Sequence, residues 1–180
     1  MIPHGPWQIV SSREVYRDAW IALRRDEVIR PDGRPGHHCV LDLKPGVCVL
    51  AVDDDQQVHL TDEFHYAVGR RSLEAVSGGC DSGETLLETA ARELAEELGI
   101  VAAELLPLGA VDPFTTIVAS PTALFLARGL SFFTAAPEGT EQIAHVRLPL
   151  AEALEQTLDG RISHAPTCVA ILKAARLLGV

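Results

Sequence analysis

One stretch, GGCDSGETLLETAARELAEELGI from Gly78 to Ile100, constrains this chain more than any other. Its second half has the period of an amphipathic helix: Leu87, Ala91, Leu94 and Leu98 recur at steps of three and four and would form the apolar stripe. Thr85, with Glu88 three residues later, is a capping-box start, and Gly99 stands where a left-handed residue would stop the helix. The charge is badly placed for such a helix. Glu93, Glu96 and Glu97 fall in its last two turns, where the backbone dipole is negative and each carboxylate costs about 0.3–1 kcal/mol. Glu93 and Glu97 also lie four apart and repel on one face. Anions gathered where the helix opposes them need a cation beside them.

Hard divalent cations such as Mg²⁺ take oxygen ligands, one or two carboxylates completed by water and substrate phosphates. Glu93 and Glu97 project side by side, with Glu96 one residue round. Arg92 can pair back to Glu88, forward to Glu96, or reach Glu84 in the preceding loop. Gly78, Gly79 and Gly83 let the backbone turn tightly and approach a metal or phosphate. The plain alternative, a solvated charged face, leaves the capping, the glycines and the arginine unconnected.

The same residues carry a family pattern. From Gly78, five residues lead to Glu84, seven more to Arg92-Glu93, then Leu94, Ala95, Glu96, Glu97, Leu98, Gly99 and Ile100. This resembles the Nudix box, G-x5-E-x7-R-E-U-x-E-E-x-G-U with U aliphatic, and every fixed position is filled. The resemblance implies an α/β (α+β) fold, the Nudix-type α/β/α sandwich around a mixed sheet, and a metal-dependent pyrophosphohydrolase.

Composition narrows the partners. A 180-residue chain with 22% charged residues is large enough for one globular domain with a substantial core. Its formal charge of −10 argues against a nucleic-acid binder or an anionic-membrane binder, and obliges an anionic substrate to find local help from metal and arginines. Cys39, Cys48, Cys80 and Cys168 lack metal-ligand spacing and read as free thiols in a reducing compartment. The beginning, MIPHGPWQIV, has no signal-peptide pattern and no apolar run is long enough to span a bilayer, so the expected location is cytoplasmic.

Residues from about Trp7 to Ile29 alternate as two or three strands, and the Pro31–Gly36 turn cluster closes a hairpin onto a strand around Cys39–Leu43. Val47–Val52 is a continuous apolar run suited to a buried central strand. Asp53-Asp54-Asp55 fits a solvated hairpin turn better than a metal site. Further strands are expected at Val58–Phe64, Thr122–Ala127 and Ile143–Leu148, a strand or extended connector at Val101–Ala110, and helices at Pro149–Leu158 and Ala165–Leu178. Lys173 and Arg176 stand late in the last helix, where the dipole favours cations. The Asp112–Pro121 loop has the prolines and hydroxyls of a substrate-facing segment. One domain spans 1–180, an N-terminal antiparallel β extension at 1–45 and a catalytic core at 46–180.

Within the family the chain is most similar to the ADP-ribose pyrophosphatase branch, and most of its length takes part. The N-terminal strands with their PDG turn resemble an extension that packs across a homodimer in that branch. LTDEFHYAVGRRSLEAVSGG resembles the branch's L-V-R-Q-Y-R-Y-A-V-G-R and E-L-P-A-G, and the tail DGRISHAPTCVAILKAARLL its closing segment. The resemblance implies that Glu93 and Glu97 are the principal metal carboxylates, Glu96 a further ligand or a partner to one, and the Ser77 carbonyl a backbone ligand. Glu84 and Arg92 orient the cluster. Glu141 matches best an acidic residue that meets the metals before the penultimate strand, and Glu138 is the nearest candidate base. Mg²⁺, with Mn²⁺ as an alternative, is the implied cofactor.

Departures leave the substrate open. Asp62 and His65 stand where the branch has arginines, and Glu74-Ala75-Val76-Ser77-Gly78 lacks its proline. Arg70 and Arg71 read equally as surface arginines or as a phosphate clamp that His65 would assist. Trp20 could stack on a nucleobase or sit in an interface. The expected reaction is hydrolysis of the diphosphate in a nucleoside diphosphate linked to another moiety, ADP-ribose or a nucleotide sugar first, releasing a nucleoside monophosphate. The alternatives are a nucleoside triphosphate, a dinucleotide or a coenzyme A derivative as substrate, or a nucleotide-sensing domain without turnover.

Overall fold

The computed structural model describes residues 1–135 and 142–180. It divides into two compact units, Met1–Lys44 with Asp112–Pro121, and Pro45–Val111 with Thr122–Val180.

The first unit is a five-stranded sheet. Strands β1 (Ile2–His4), β2 (Trp7–Arg17), β3 (Ile21–Ile29) and β4 (Pro35–Leu43) follow as antiparallel neighbours, and β10 (Val118–Ala119) adds to β4 in parallel at Leu41 and Asp42. The 112–121 segment, expected as a loop, thus contributes two residues to this sheet. The hairpin between β3 and β4 turns at the expected cluster, where Gly33 takes a positive φ of 79° and its N–H bonds the carbonyl of Arg30.

The second unit is built on a seven-stranded mixed sheet. Its main path runs β12 (Ala144–Pro149), β6 (Gln57–His65), β5 (Gly46–Val52), β11 (Thr122–Phe132) and β9 (Ile100–Val111). Strand β7 (Arg70–Glu74) pairs with β6, and β8 (Val76–Gly79) with β5. Strand β5 pairs in parallel with β11 and is buried along nearly its whole length. Alternation sorts its side chains into two cores: Cys48, Leu50 and Val52 face α2 (Leu150–Leu158) and α3 (Ala165–Leu178), while Val47, Val49 and Ala51 face α1 (Leu86–Leu98). Helices on both faces of a mixed sheet make the expected α/β/α sandwich. Each large side chain fully buried here, Leu50, Leu94 or Ile171, contributes roughly 1.5–3 kcal/mol.

Two expectations change. The buried face of α1 carries Thr89, Ala90, Leu94 and Leu98, whereas Leu87 is exposed and Ala91 faces solvent. The four-residue series that reaches Leu94 and Leu98 starts from Ala90, so the first turn's leucines never reach the sheet. Lys173 is not spent on its own helix end. Its Nζ donates to the Leu108 carbonyl on β9 at 2.6 Å, leaving Arg176 as the basic residue of the last turn. Asp53 opens a tight turn, bonding the N–H of Asp55 and Gln57, which fits the hairpin reading of the three aspartates. All four cysteines are free thiols, and no helix among the described residues is long and apolar enough to cross a membrane.

Candidate active site

The site grows from the way α1 begins and ends. Thr85 Oγ1 accepts the Glu88 N–H at 3.2 Å while Glu88 Oε2 accepts the Thr85 N–H at 2.8 Å, which is the expected capping box. Gly99, at φ 62°, closes the other end by donating its N–H to Ala95. Between these ends, Glu93 lies against the strand that precedes the helix. A Cβ on Gly78 would collide with the Glu93 side chain, so any other residue there would push that carboxylate aside. Ser77, the adjoining residue of β8, pairs opposite Cys48 of β5.

Arg92 is the centre of the arrangement. Its Nε donates to Glu84 Oε1 at 2.8 Å and its Nη2 to Glu84 Oε2 at 3.1 Å, a two-pronged grip. Its Nη1 donates to Glu93 Oε1 at 2.9 Å and to Glu96 Oε2 at 3.0 Å, and Nη2 also reaches the Gly79 carbonyl at 3.2 Å. Of the three pairings open to Arg92, Glu84 and Glu96 are realised, and Glu93 is added; Glu88 is spent on the cap. The guanidinium, helped by the Asp81 N–H, holds the Glu84 carboxyl down to about 2. The same contacts push Arg92 above its ordinary value.

Among the described residues no three His, Cys, Asp or Glu side chains are set to enclose an ion. A Mg²⁺ site made of one or two carboxylates and completed by water and phosphate needs no such cage. The donor set suits that ion. Glu93, Glu96 and Glu97 present hard oxygens from the end of one helix, all partly buried, and the Gly78 surface beneath Glu93 is free of any Cβ. Glu138 and Glu141 lie outside the described residues.

The expected substrate contacts are more dispersed. Arg71 is held by Asp62, with Nε to Oδ2 at 3.0 Å, and Arg70 donates to Ser163 Oγ at 2.9 Å. Both side chains are exposed on β7. His65 Nε2 stands 3.2 Å from Glu74 Oε1. Trp20 belongs to the first unit, exposed in the β2–β3 turn, with Lys44 Nζ 5.3 Å from its ring centre.

A second cluster escaped the sequence. Glu74 is gripped from the other side by His164, whose Nδ1 lies 3.1 Å from Glu74 Oε2 and 2.8 Å from Thr167 Oγ1. Thr167 Oγ1 in turn accepts the Ala75 N–H at 2.9 Å. Burial lowers the His164 imidazole below its ordinary value, and the Glu74 charge works against that. Cys48 lies within the electrostatic reach of both Glu74 and Glu97; burial foremost, with those two charges, pushes its thiol up to about 12, so it stays protonated. The one signal available in advance was His65 standing in an arginine's place; nothing local pointed to His164.

Comparisons with known proteins give the family and the fold. The model of the NUDIX domain matches residues 42–166, and that of the nucleoside diphosphate sugar hydrolase N-terminal domain matches residues 7–41. The ADP-ribose pyrophosphatase of Mycobacterium tuberculosis is 30% identical over 92% of this chain and 82% of its own. The CMP-5'-(N-acetyl-N-hydroxy-3-aminopropyl)phosphonate hydrolase of Streptomyces rubellomurinus is 29% identical over 96% of this chain and 84% of its own. Among solved structures, that of an ADP compounds hydrolase superposes with a TM-score of 0.82, covering 96% of this chain and 94% of that one at 22% identity, a likeness of fold.

Proposed function

The chain belongs to the NUDIX family, and from that premise we propose that it hydrolyses the diphosphate bond of a nucleoside diphosphate linked to another moiety. ADP-ribose or a nucleotide sugar is the first substrate class. Water adds to one phosphorus as the bridging P–O bond breaks, giving a nucleoside monophosphate and the phosphate ester of the other moiety. The observation that carries this reading is the Arg92 fork, which holds Glu84 from the loop before α1 together with Glu93 and Glu96 of the helix. Support also comes from the names of the two relatives, both of which cleave nucleotidyl compounds, and from the sugar-hydrolase N-terminal match.

Glu93 and Glu97, with Glu96 and the Ser77 carbonyl, are the residues that would hold Mg²⁺ or Mn²⁺. When bound, such an ion neutralises charge on the diphosphate and makes water a better nucleophile. The chain's own part is positional. Arg92 keeps two of the glutamates from splaying under mutual repulsion, and the Gly78 backbone fixes how close Glu93 lies to β8. Arg70, Arg71, His65 and Trp20 are the candidates for orienting the substrate, and Glu138 and Glu141 for the base and a further carboxylate. The resemblance of the N-terminal strands to an extension that packs across a homodimer in the ADP-ribose pyrophosphatase branch supports a homodimer, which sedimentation would check.

The test is release of nucleoside monophosphate from ADP-ribose, nucleotide sugars, a cytidylyl phosphonate, dinucleotides and nucleoside triphosphates with Mg²⁺ or Mn²⁺. EDTA should abolish turnover and the metal restore it. Glu97→Gln should lower kcat by about two orders of magnitude or more while leaving the melting curve in place. Full turnover by Glu97→Gln removes the role given to Glu97. Metal-dependent binding without turnover on any of these compounds identifies a sensing domain instead.

A further inference from the structure

A line of titratable side chains that takes no part in the α1 site crosses from β6 to the edge strand β12. Among the described residues β12 pairs with β6 alone, so one ladder over Ala144–Pro149 holds it to the sheet. The register sets Arg147 opposite His59 and His145 opposite Thr61. His59 is 2% exposed, with the Phe132 ring centre 5.0 Å away, whereas His145 stands on the exposed side. The two imidazoles meet across the strands. His59 Nδ1 lies 2.9 Å from His145 Nε2, and His59 Nε2 lies 3.2 Å from Asp53 Oδ2. Arg147 closes the line, its Nη2 donating to Asp53 Oδ2 at 2.6 Å.

Proton count decides what this line tolerates. Burial pushes the Asp53 carboxyl up, but the Gln57 N–H, Arg147 and His59 outweigh it and hold the group below its ordinary value, an ionised acceptor. His59 Nε2 must then carry a hydrogen. A neutral His59 is bare at Nδ1, and His145 Nε2 supplies the bridging hydrogen. One added proton is accommodated. His59 then carries hydrogen on both nitrogens beside Asp53, and His145 moves its own to Nδ1 and accepts through Nε2. A second added proton is not. Both facing nitrogens would carry hydrogen at 2.9 Å, and two cations would stand with ring centres 5.0 Å apart. The charges bearing on the pair are Asp53 and Arg147, with Asp55 3.5 Å from Arg147 and Asp54 3.7 Å from Arg128 in the same turn. Asp53 is shared with Arg147, so it does not offset two imidazolium ions.

We propose that His59 and His145 form an acid-sensitive latch on the edge of the sheet, closed with β12 on β6 while one facing nitrogen is bare, and open once both are protonated. The strand it releases leads directly into α2. Burial, first among the causes, holds both imidazoles below the ordinary 6.5, so the latch is fully closed above 6.5 and gives way as pH falls through the depressed values. It lies within the second unit and holds whether or not the diphosphate reading does.

Hydrogen–deuterium exchange of the full chain, read by mass spectrometry and corrected for the intrinsic exchange rate, tests it. Between about pH 7.5 and about pH 5.5, protection of the β12 amides should fall at least about tenfold, while β5 and the middle of β11 keep theirs. His145→Gln should erase that fall, because a glutamine amide turns either its N–H or its oxygen to His59 and satisfies both of its charge states. His145→Ala, which removes the bridge, should hold β12 at the low-pH level of protection throughout. Protection of β12 that does not change with pH, a fall that persists undiminished in His145→Gln, or one shared equally by β5 and β11 overturns the proposal.

Discussion

The second unit contains two carboxylate clusters of opposite design. At the end of α1, one permanent cation, Arg92, serves three glutamates. Beneath β7, one carboxylate, Glu74, serves two imidazoles, His65 and His164. The first cluster has more negative than positive charge and stands ready for a further cation. The second is closed by two imidazoles and is tied by Thr167 into the backbone of Ala75. One arrangement suits chemistry on anions; the other staples β7 to the start of α3.

The strongest way to break that contrast is Arg92→Ala. It releases Glu84, Glu93 and Glu96 to repel one another, so release of nucleoside monophosphate should fall by about a hundredfold or more and the fold should lose roughly 2 kcal/mol. Kinetics beside urea unfolding measure both. Gly78→Ala comes next. Its Cβ displaces Glu93, and activity at limiting Mg²⁺ should drop by about 10–100-fold, partly recovered at high metal; an unchanged metal dependence would separate Glu93 from the ion.

The other cluster should answer in stability rather than in turnover. Thr167→Val orphans the Ala75 N–H in a fully buried position and should cost about 1–3 kcal/mol by denaturation, with the metal dependence of activity unmoved.

The smallest effect separates the two clusters by pH. Burial is the first cause holding His164, and likewise His59 and His145, below the ordinary value of 6.5. The unfolded chain then binds protons first, so their contribution is complete above 6.5 and is lost as pH falls through the depressed values. Glu84, held at about 2 against an ordinary 4.5, keeps its contribution down to 4.5 and loses it on the way to 2. Unfolding midpoints should therefore decline in two separate acid steps, and Arg92→Ala should blunt only the lower one.

The contrast also explains what could be read in advance. Glu93, Glu96, Glu97 and Arg92 share one helix, so spacing alone brings them together, and the caps at Thr85 and Gly99 are local hydrogen-bond chemistry. The burial register of α1 was misjudged at Leu87 and Ala91 because the sheet, not the helix, decides which turn reaches the core. The Glu74 cluster joins β6, β7 and the first turn of α3, and no local period links residues so far apart. Lys173 could have been a dipole partner on sequence grounds; the Leu108 carbonyl across the core claims it instead.

The parallel pairing of β5 with β11 sets an order of assembly. One edge of β5 is satisfied early, by β8 and the end of β6, but the other waits for Thr122–Ala127. A nascent chain thus carries its most apolar strand with an open flank while some seventy residues are still to be synthesised, the interval in which such an edge is most prone to pair with the wrong neighbour.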